Sequence, residues 1–446
     1  MVAAIKRTTI LISSILVTSV IVYLIITSDF NNPNNNTNPI NDCQSNCFYS
    51  PYEGYQHNIE EYNDEELGPL VEINIQSSED IPKYELTGNG SEYNPFLIDG
   101  NYYDNVRLLI KISNTGENFV IQNCYGVCIF LSDIKEGGFV IRENEFCCGS
   151  SGISLRSVFA STNITNNIFR CASAGGASII YSKNTILMNN QFYNSGIYLI
   201  TIPLYLNTTI IKDNFINERK IGFFHKEDNL EITEEHGYGQ LIFAECKNIL
   251  VSDVSIKDTS YGIICLSSNN VTIKGCSISG CYFGLFIQHC SLVKIENNEI
   301  FQNRLAMYFM VSSGTFTNNY FFNNLYGIDI SHSSSCLIVE NKIGGNNQWG
   351  ISLWDACNNQ IINNTIEYND GLGLDLRCNS EGNSIHHNIF HCNGRNAKDD
   401  CANNTWFDTS TSQGNWWSDY CGKKEFVIIG TAEAVDSYPK STEELY

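Results

Sequence analysis

The sequence predicts an all-β chain: a right-handed parallel β-helix solenoid of roughly 12–14 coils, preceded by an N-terminal transmembrane helix. Three observations predict it. An Asn motif recurs with gaps of 21 to 24 residues, broken once by a gap of 40. Between the motifs, apolar residues alternate with variable ones, which is the signature of a strand with one buried face. Near the start, an uncharged stretch rich in Ile, Val and Leu runs from Thr8 to Ser28.

The motif carries its marker at Asn144, Asn167, Asn190, Asn214, Asn298, Asn319, Asn341, Asn364 and Asn388. Weaker copies at Asp253-Val254 and Gly275-Cys276 lack the second Asn. A fixed period in this range marks a solenoid. Between the motifs stand Gly327-Ile328-Asp329-Ile330, Gly350-Ile351-Ser352-Leu353 and Gly373-Leu374-Asp375-Leu376, with earlier copies of the same phrase. Each repeat therefore holds two or three short strands joined by Gly, Asn and Ser turns. Such a unit cannot bury its apolar side chains alone. Stacked units can, with strands about 4.8 Å apart. A leucine-rich repeat has a similar period but needs regularly placed Leu and a helical arm, and this chain has neither.

Asn at a fixed place has a structural use. Identical amides one coil apart bond to each other and to turn backbone, forming a ladder. Asn also tolerates the left-handed conformation of tight bends. Asn144, Asn167, Asn190, Asn298, Asn319, Asn341, Asn364 and Asn388 are therefore expected to form an internal ladder. The 40-residue gap reads as one repeat plus a charged insertion near 217–238, containing Glu218-Arg219-Lys220 and Glu234-Glu235-His236. Long solenoid loops usually project from one face.

Residues 1–28 are expected to form a membrane anchor, with a cleaved signal peptide as the alternative. About 20 apolar residues cross a bilayer, and Lys6 and Arg7 place the N-terminus inside and the remainder outside. Residues 29–75 read as a polar extracellular stalk, residues 76–438 as the β-helix, and 439–446 as a tail. The chain is thus expected at the cell surface, or else secreted. Its 18 cysteines fit an oxidising location. Acceptor sequons for N-glycans stand at Asn35, Asn89, Asn163, Asn207, Asn270, Asn363 and Asn403. A net charge of −22 argues against nucleic acid and against anionic membrane surfaces. Phe146 and Phe169 share a repeat position, so Cys148 and Cys171 do as well. Their Cα atoms are expected about 5 Å apart, within disulfide range.

These repeats resemble the right-handed β-helix proteins of the pectin lyase-like superfamily, and within it the NosD-type (CASH domain) proteins of archaeal and bacterial surfaces. Tyr84 to Gly100, with its Asn94-Pro95-Phe96 step, is similar to the family's entry segment. Gly414-Asn415-Trp416-Trp417-Ser418-Asp419-Tyr420 and Asp436-Ser437-Tyr438-Pro439 are similar to its closing segment. The family often continues with an acidic loop, where this chain has Cys421-Gly422-Lys423-Lys424. A cation held there is not expected.

The resemblance implies either binding or cleavage of acidic polysaccharide, or handling of copper. Lyases of the superfamily use clustered Asp with calcium and a base; its hydrolases use paired Asp. Here Ser154, Tyr198, Ile264, Phe286, Asp329, Ser352 and Asp375 fall in one outward series. Asp329 and Asp375 would stand two coils apart, about 9.6 Å, near the upper end for an inverting pair. Asp355 lies nearby. Tyr198, Phe286, Trp349 and Trp354 could stack on sugar rings. For metal, 8 His and 4 Met are few; the candidates are His386 and His391, beside His387 and Cys392. Three readings stay open. One is a non-catalytic module that binds surface polysaccharide or another surface protein. The second is a polysaccharide hydrolase or lyase acting through Asp329, Asp355 and Asp375. The third is a copper-handling protein. Calcium is the one candidate cofactor that the resemblance implies.

Overall fold

The computed structural model describes residues 68–445, apart from 104–105, 148–150 and 171–174. The expected anchor, residues 29–67 of the stalk, Asn35, Cys148 and Cys171 lie outside the described residues. Among the described residues no helix is long and apolar enough to cross a membrane.

Short strands stack coil on coil into a parallel β-helix of about 15 turns. The phrase strands Tyr326–Ser331, Ile351–Trp354 and Leu372–Arg377 pair in register, so that Ile328 meets Ile351 and Ile351 meets Leu374. Ile328, Ile330, Ile351, Leu353, Leu374 and Leu376 are all fully buried in one continuous core, as the alternation predicts. Burying each such side chain contributes about 1.5–3 kcal/mol. Asp329, Ser352 and Asp375 take the opposite face.

The Asn ladder forms. Asn298, Asn319, Asn341, Asn364, Asn388 and Asn415 each donate to, or accept from, the next amide at 2.9–3.0 Å. Asn144, Asn167, Asn190 and Asn214 do the same in the first coils. Two further ladders were not foreseen. Asn303, Asn324, Asn346, Asn369 and Asn393 form one. Asn359, Asn383 and Asn404 form the other.

Where these ladders lack Asn, Cys and Ser take over. Cys276 N–H donates to Asn298 Oδ1, and Cys290 N–H to Ser312 Oγ. The Cys276 and Cys290 thiols donate back to carbonyls at 3.3 Å. Cys246, Cys265, Cys276, Cys281, Cys290 and Cys336 are buried and unbridged. Burial pushes the Cys281 and Cys290 thiols up to about 12. These six cysteines are packing and capping groups.

The solenoid changes sides part-way along. Phe215–Ile216 turns back on Arg219–His225 in an antiparallel pair, through Asn217 and Glu218. Both turn residues have positive φ, 46° and 67°, the geometry that suits right-twisted strands. Ile216 continues the first core, stacked beyond Phe146, Phe169 and Phe192. On the next strand Gly222 and Phe224 align with Leu241 and Phe243 of the second core. Phe224 has the parity of Lys220, which pairs with Phe215 and not with Ile216. The second core therefore lies on the other face of the shared sheet.

This step seals the end of the first half. Ile197–Ile200 is the last strand of its six-stranded sheet. Its open edge is closed by a side chain: Gln240 Oε1 accepts from Ile197 N–H at 3.0 Å, and Gln240 Nε2 donates to Ile197 C=O at 2.7 Å. Thr259 Oγ1 donates to Ser195 C=O at 3.1 Å. The amide of Gln240 stands in for the peptide of a missing strand.

Three expectations need correction. Leu70–Ile75 pairs in parallel with Arg107–Ser113, so residues 70–75 belong to the solenoid and not to the stalk. The alternation of Val71, Ile73 and Ile75 carries them in. The charged stretch 217–238 is not a projecting loop but a coil of its own. Arg219–His225 and Asp228–Ile232 are strands, and a turn of 3-10 helix, Glu234–His236, replaces the third. With these additions, the turns number more than expected.

Candidate functional site

The outward column of the second half runs through Tyr308, Asp329, Ser352, Asp375 and Lys398, one residue per coil. It carries two of the three proposed acids, Asp329 and Asp375. Solvent does not reach it freely: Asp329 is 7%, Ser352 3% and Asp375 3% exposed. Asp329 Oδ1 accepts from Ser331 Oγ at 2.7 Å. Burial pushes the Asp329 carboxyl up to about 6, against the pull of the Ser331 hydrogen bond and the Arg377 charge. Asp375 Oδ2 is paired with Arg377. Burial raises the Asp375 carboxyl also, opposed by Arg377 and Lys398. The Arg377 guanidinium lies over the Trp349 ring at 5.3 Å.

Asp355 does not join them. It sits at the turn beyond Trp354, with φ of 49°, and its Oδ2 is 2.8 Å from His332 Nδ1. Its side chain is 43% exposed. The three acids thus have three different partners: a serine, a histidine and an arginine. They do not converge on one reacting atom.

The aromatic candidates divide. Tyr198 and Phe286 are buried, and their rings meet edge-to-face at 5.9 Å. Tyr198 also stacks on Tyr261 at 4.5 Å. Tyr198 belongs to the first half's sheet and Phe286 to the second, so the expected single outward series is two series joined at the seam. These rings pack the halves together and offer no face to a sugar. Trp349 and Trp354 flank the acidic column and are half-buried. Trp349 packs on Tyr326 at 4.4 Å.

His386 and His391 are not brought together. His386 aligns with Ile362 on one face, and His391 with Glu367 on another. His391 Nε2 lies 3.4 Å from Cys392 Sγ, and its ring sits edge-on to Tyr368. His386 instead meets His387, with Nδ1 atoms 2.7 Å apart, and Asp408 completes the group. Asp408 comes from a loop outside the repeats, which no repeat pattern could flag. Among the sequons, Asn89, Asn207, Asn363 and Asn403 are exposed, whereas Asn163 and Asn270 are half-buried.

By fold, the chain is a parallel β-helix repeat protein. Residues 225–422, most of the second half of the solenoid, match the family described as periplasmic copper-binding protein (NosD). No curated protein matches the sequence. Among solved structures the chain is similar to the Dettilon tailspike protein (gp208), at 13% identity and a TM-score of 0.35, covering 70% of this chain and 62% of that one. It is similar to the periplasmic alginate epimerase AlgG, at 13% identity and a TM-score of 0.30, covering 78% and 77%. It is also similar to the A-module of the mannuronan C-5 epimerase AlgE4 from Azotobacter vinelandii, at 11% identity and a TM-score of 0.31, covering 81% and 99%. At these identities the likeness is one of fold alone.

Proposed function

We propose that this chain is a non-catalytic β-helix module working outside the cytoplasm, a rigid rod that binds a carbohydrate or another surface protein. The observation that supports it most is the closure of the acidic column. A shift like that of Asp329 is one that active sites use. A catalytic carboxyl must also come within about 3 Å of the atom it serves. Asp329 is closed over, Asp375 is neutralised by Arg377, and Asp355 is held by His332. Calcium stays outside this proposal, because Arg377 and Lys398 accompany the carboxylates. The family's periplasmic description and the apolar segment after Lys6 and Arg7 support the location. Two other sheet faces, which carry Lys294 and Gln360 on one and Glu299 and Lys342 on the other, are exposed and match extended polymers, which favours a glycan or an elongated surface partner.

Native electrophoresis of the full chain in gels containing uronic-acid polymers or neutral glycans tests the binding. Retarded migration with one polymer class is the expected result. Unchanged migration in every gel, together with no partner captured from the cell envelope, would discard the proposal.

A second reading, metal handling, is favoured by the imidazole pair at His386 and His387 and by the family's copper-binding description.

A further inference from the structure

We infer that His386, His387 and Asp408 form a binding site for one divalent transition-metal ion at a corner of the solenoid. The site deepens the second reading above, metal handling, and does not depend on the binding module.

The first argument is distance. His386 Nδ1 and His387 Nδ1 are 2.7 Å apart. Imidazole nitrogens bind ions such as Zn2+ at about 2.0–2.1 Å. Two of them at a right angle, as in the tetragonal sites of Cu2+, then stand about 2.9 Å apart, and about 3.3 Å apart on a tetrahedral ion. The pair is therefore already near the separation of adjacent ligands. One ligand atom from each of His386, His387 and Asp408 lies within 4.8 Å of the other two.

The second argument is the proton. His387 Nε2 is 3.3 Å from Gln413 Oε1, and Lys440 Nζ donates to the same oxygen at 3.5 Å. With a lysine donating to it, Oε1 is an acceptor. His387 Nε2 must then carry the proton, and its Nδ1 presents a lone pair. Metal-bound histidines are oriented in this way by an acceptor on the other ring nitrogen.

The third argument is fixation. Asp408 Oδ1 accepts from Ser410 N–H at 2.8 Å and Ser410 Oγ at 2.7 Å, and Oδ2 accepts from Thr411 Oγ1 at 2.7 Å. A carboxylate has about four lone-pair positions, so the loop aims the group without exhausting it. His387 holds a left-handed turn, φ 59°, in the place taken by Glu340 and Asn363 in the two preceding coils. Only this coil puts two imidazoles there.

Two nitrogens and one oxygen suit borderline ions of the copper–zinc group better than calcium or magnesium, and the usual order of affinities puts Cu2+ first. The competing explanation is a plain N–H···N hydrogen bond between two neutral rings. Titration of the full chain with Cu2+, followed by calorimetry and electron paramagnetic resonance, separates the two. One equivalent with splitting from two nitrogens is expected, and it should vanish in the double variant His386→Gln/His387→Gln. Asp408→Asn should weaken it at least tenfold. Gln413→Ala should keep the stoichiometry and weaken binding about 10–100-fold. Matched far-ultraviolet circular dichroism controls for folding. No stoichiometric Cu2+ in the native chain, or the same equivalent and spectrum in the double variant, would overturn the site.

Discussion

Asp329 shows how one buried charge couples to the stability of the coils around it. Its carboxyl titrates near 6 in the folded chain, against an ordinary value of 3.8. Between those values the folded state holds more protons than the unfolded one, so this group lowers stability as pH rises from about 4 to 6. Two pH units correspond to about 3 kcal/mol at most. Asp329→Asn keeps an acceptor for Ser331 and removes the charge. It should be more stable than the native chain by about 1–3 kcal/mol at pH 7.5 in urea unfolding, with the difference gone near pH 4. An equal difference at both pH values would refute the raised carboxyl. Asn341 makes the opposite case. Its amide donates to Phe316 C=O, Val339 C=O and Asn364 Oδ1, and its oxygen accepts from Asn319. Asn341→Ala leaves several buried groups unpaired and should cost about 2–4 kcal/mol. The structural role of these Asn residues was legible because they recur. The second ladder was legible too: Asn303, Asn324, Asn346, Asn369 and Asn393 each follow a first-ladder Asn by five residues. The environment of Asp329 was not, because alternation gives a side chain's face and not what lies over that face.

At the scale of elements, the seam between the halves was hidden by the sequence's own regularity. The coil made by Arg219–His225 and Asp228–Ile232 lacks the Asn motif, so spacing alone presented it as an insertion. Nor does periodicity report the antiparallel return at Asn217 and Glu218, which moves the core to the other face of the sheet. Two substitutions probe the seam. Gln240→Leu removes the group that closes the edge at Ile197, and should cost about 1–3 kcal/mol. Hydrogen exchange at Ile197 N–H should accelerate more than at core amides of the second half; uniform acceleration would mean the seam is not a local cap. Glu218 holds φ of 67° with a side chain that disfavours it. Glu218→Gly relieves that strain but frees the unfolded chain, and should stabilise by a net of about 0.5–1 kcal/mol in urea unfolding. A loss of stability there would argue against the two-residue turn.

For the whole molecule, the functional reading rests on a rod whose proposed acids are built into its packing. Tyr198 and Phe286, expected to touch sugar, instead lock the halves together. The acids expected to converge are held by different partners. The most direct test is to incubate the full chain with uronic-acid polymers and neutral glycans from pH 5 to 8, beside Asp329→Asn and Asp375→Asn. The account predicts no new reducing ends, no unsaturated products and no epimerised sugar from any of the three proteins. Product made by the native chain and lost in either variant would contradict it.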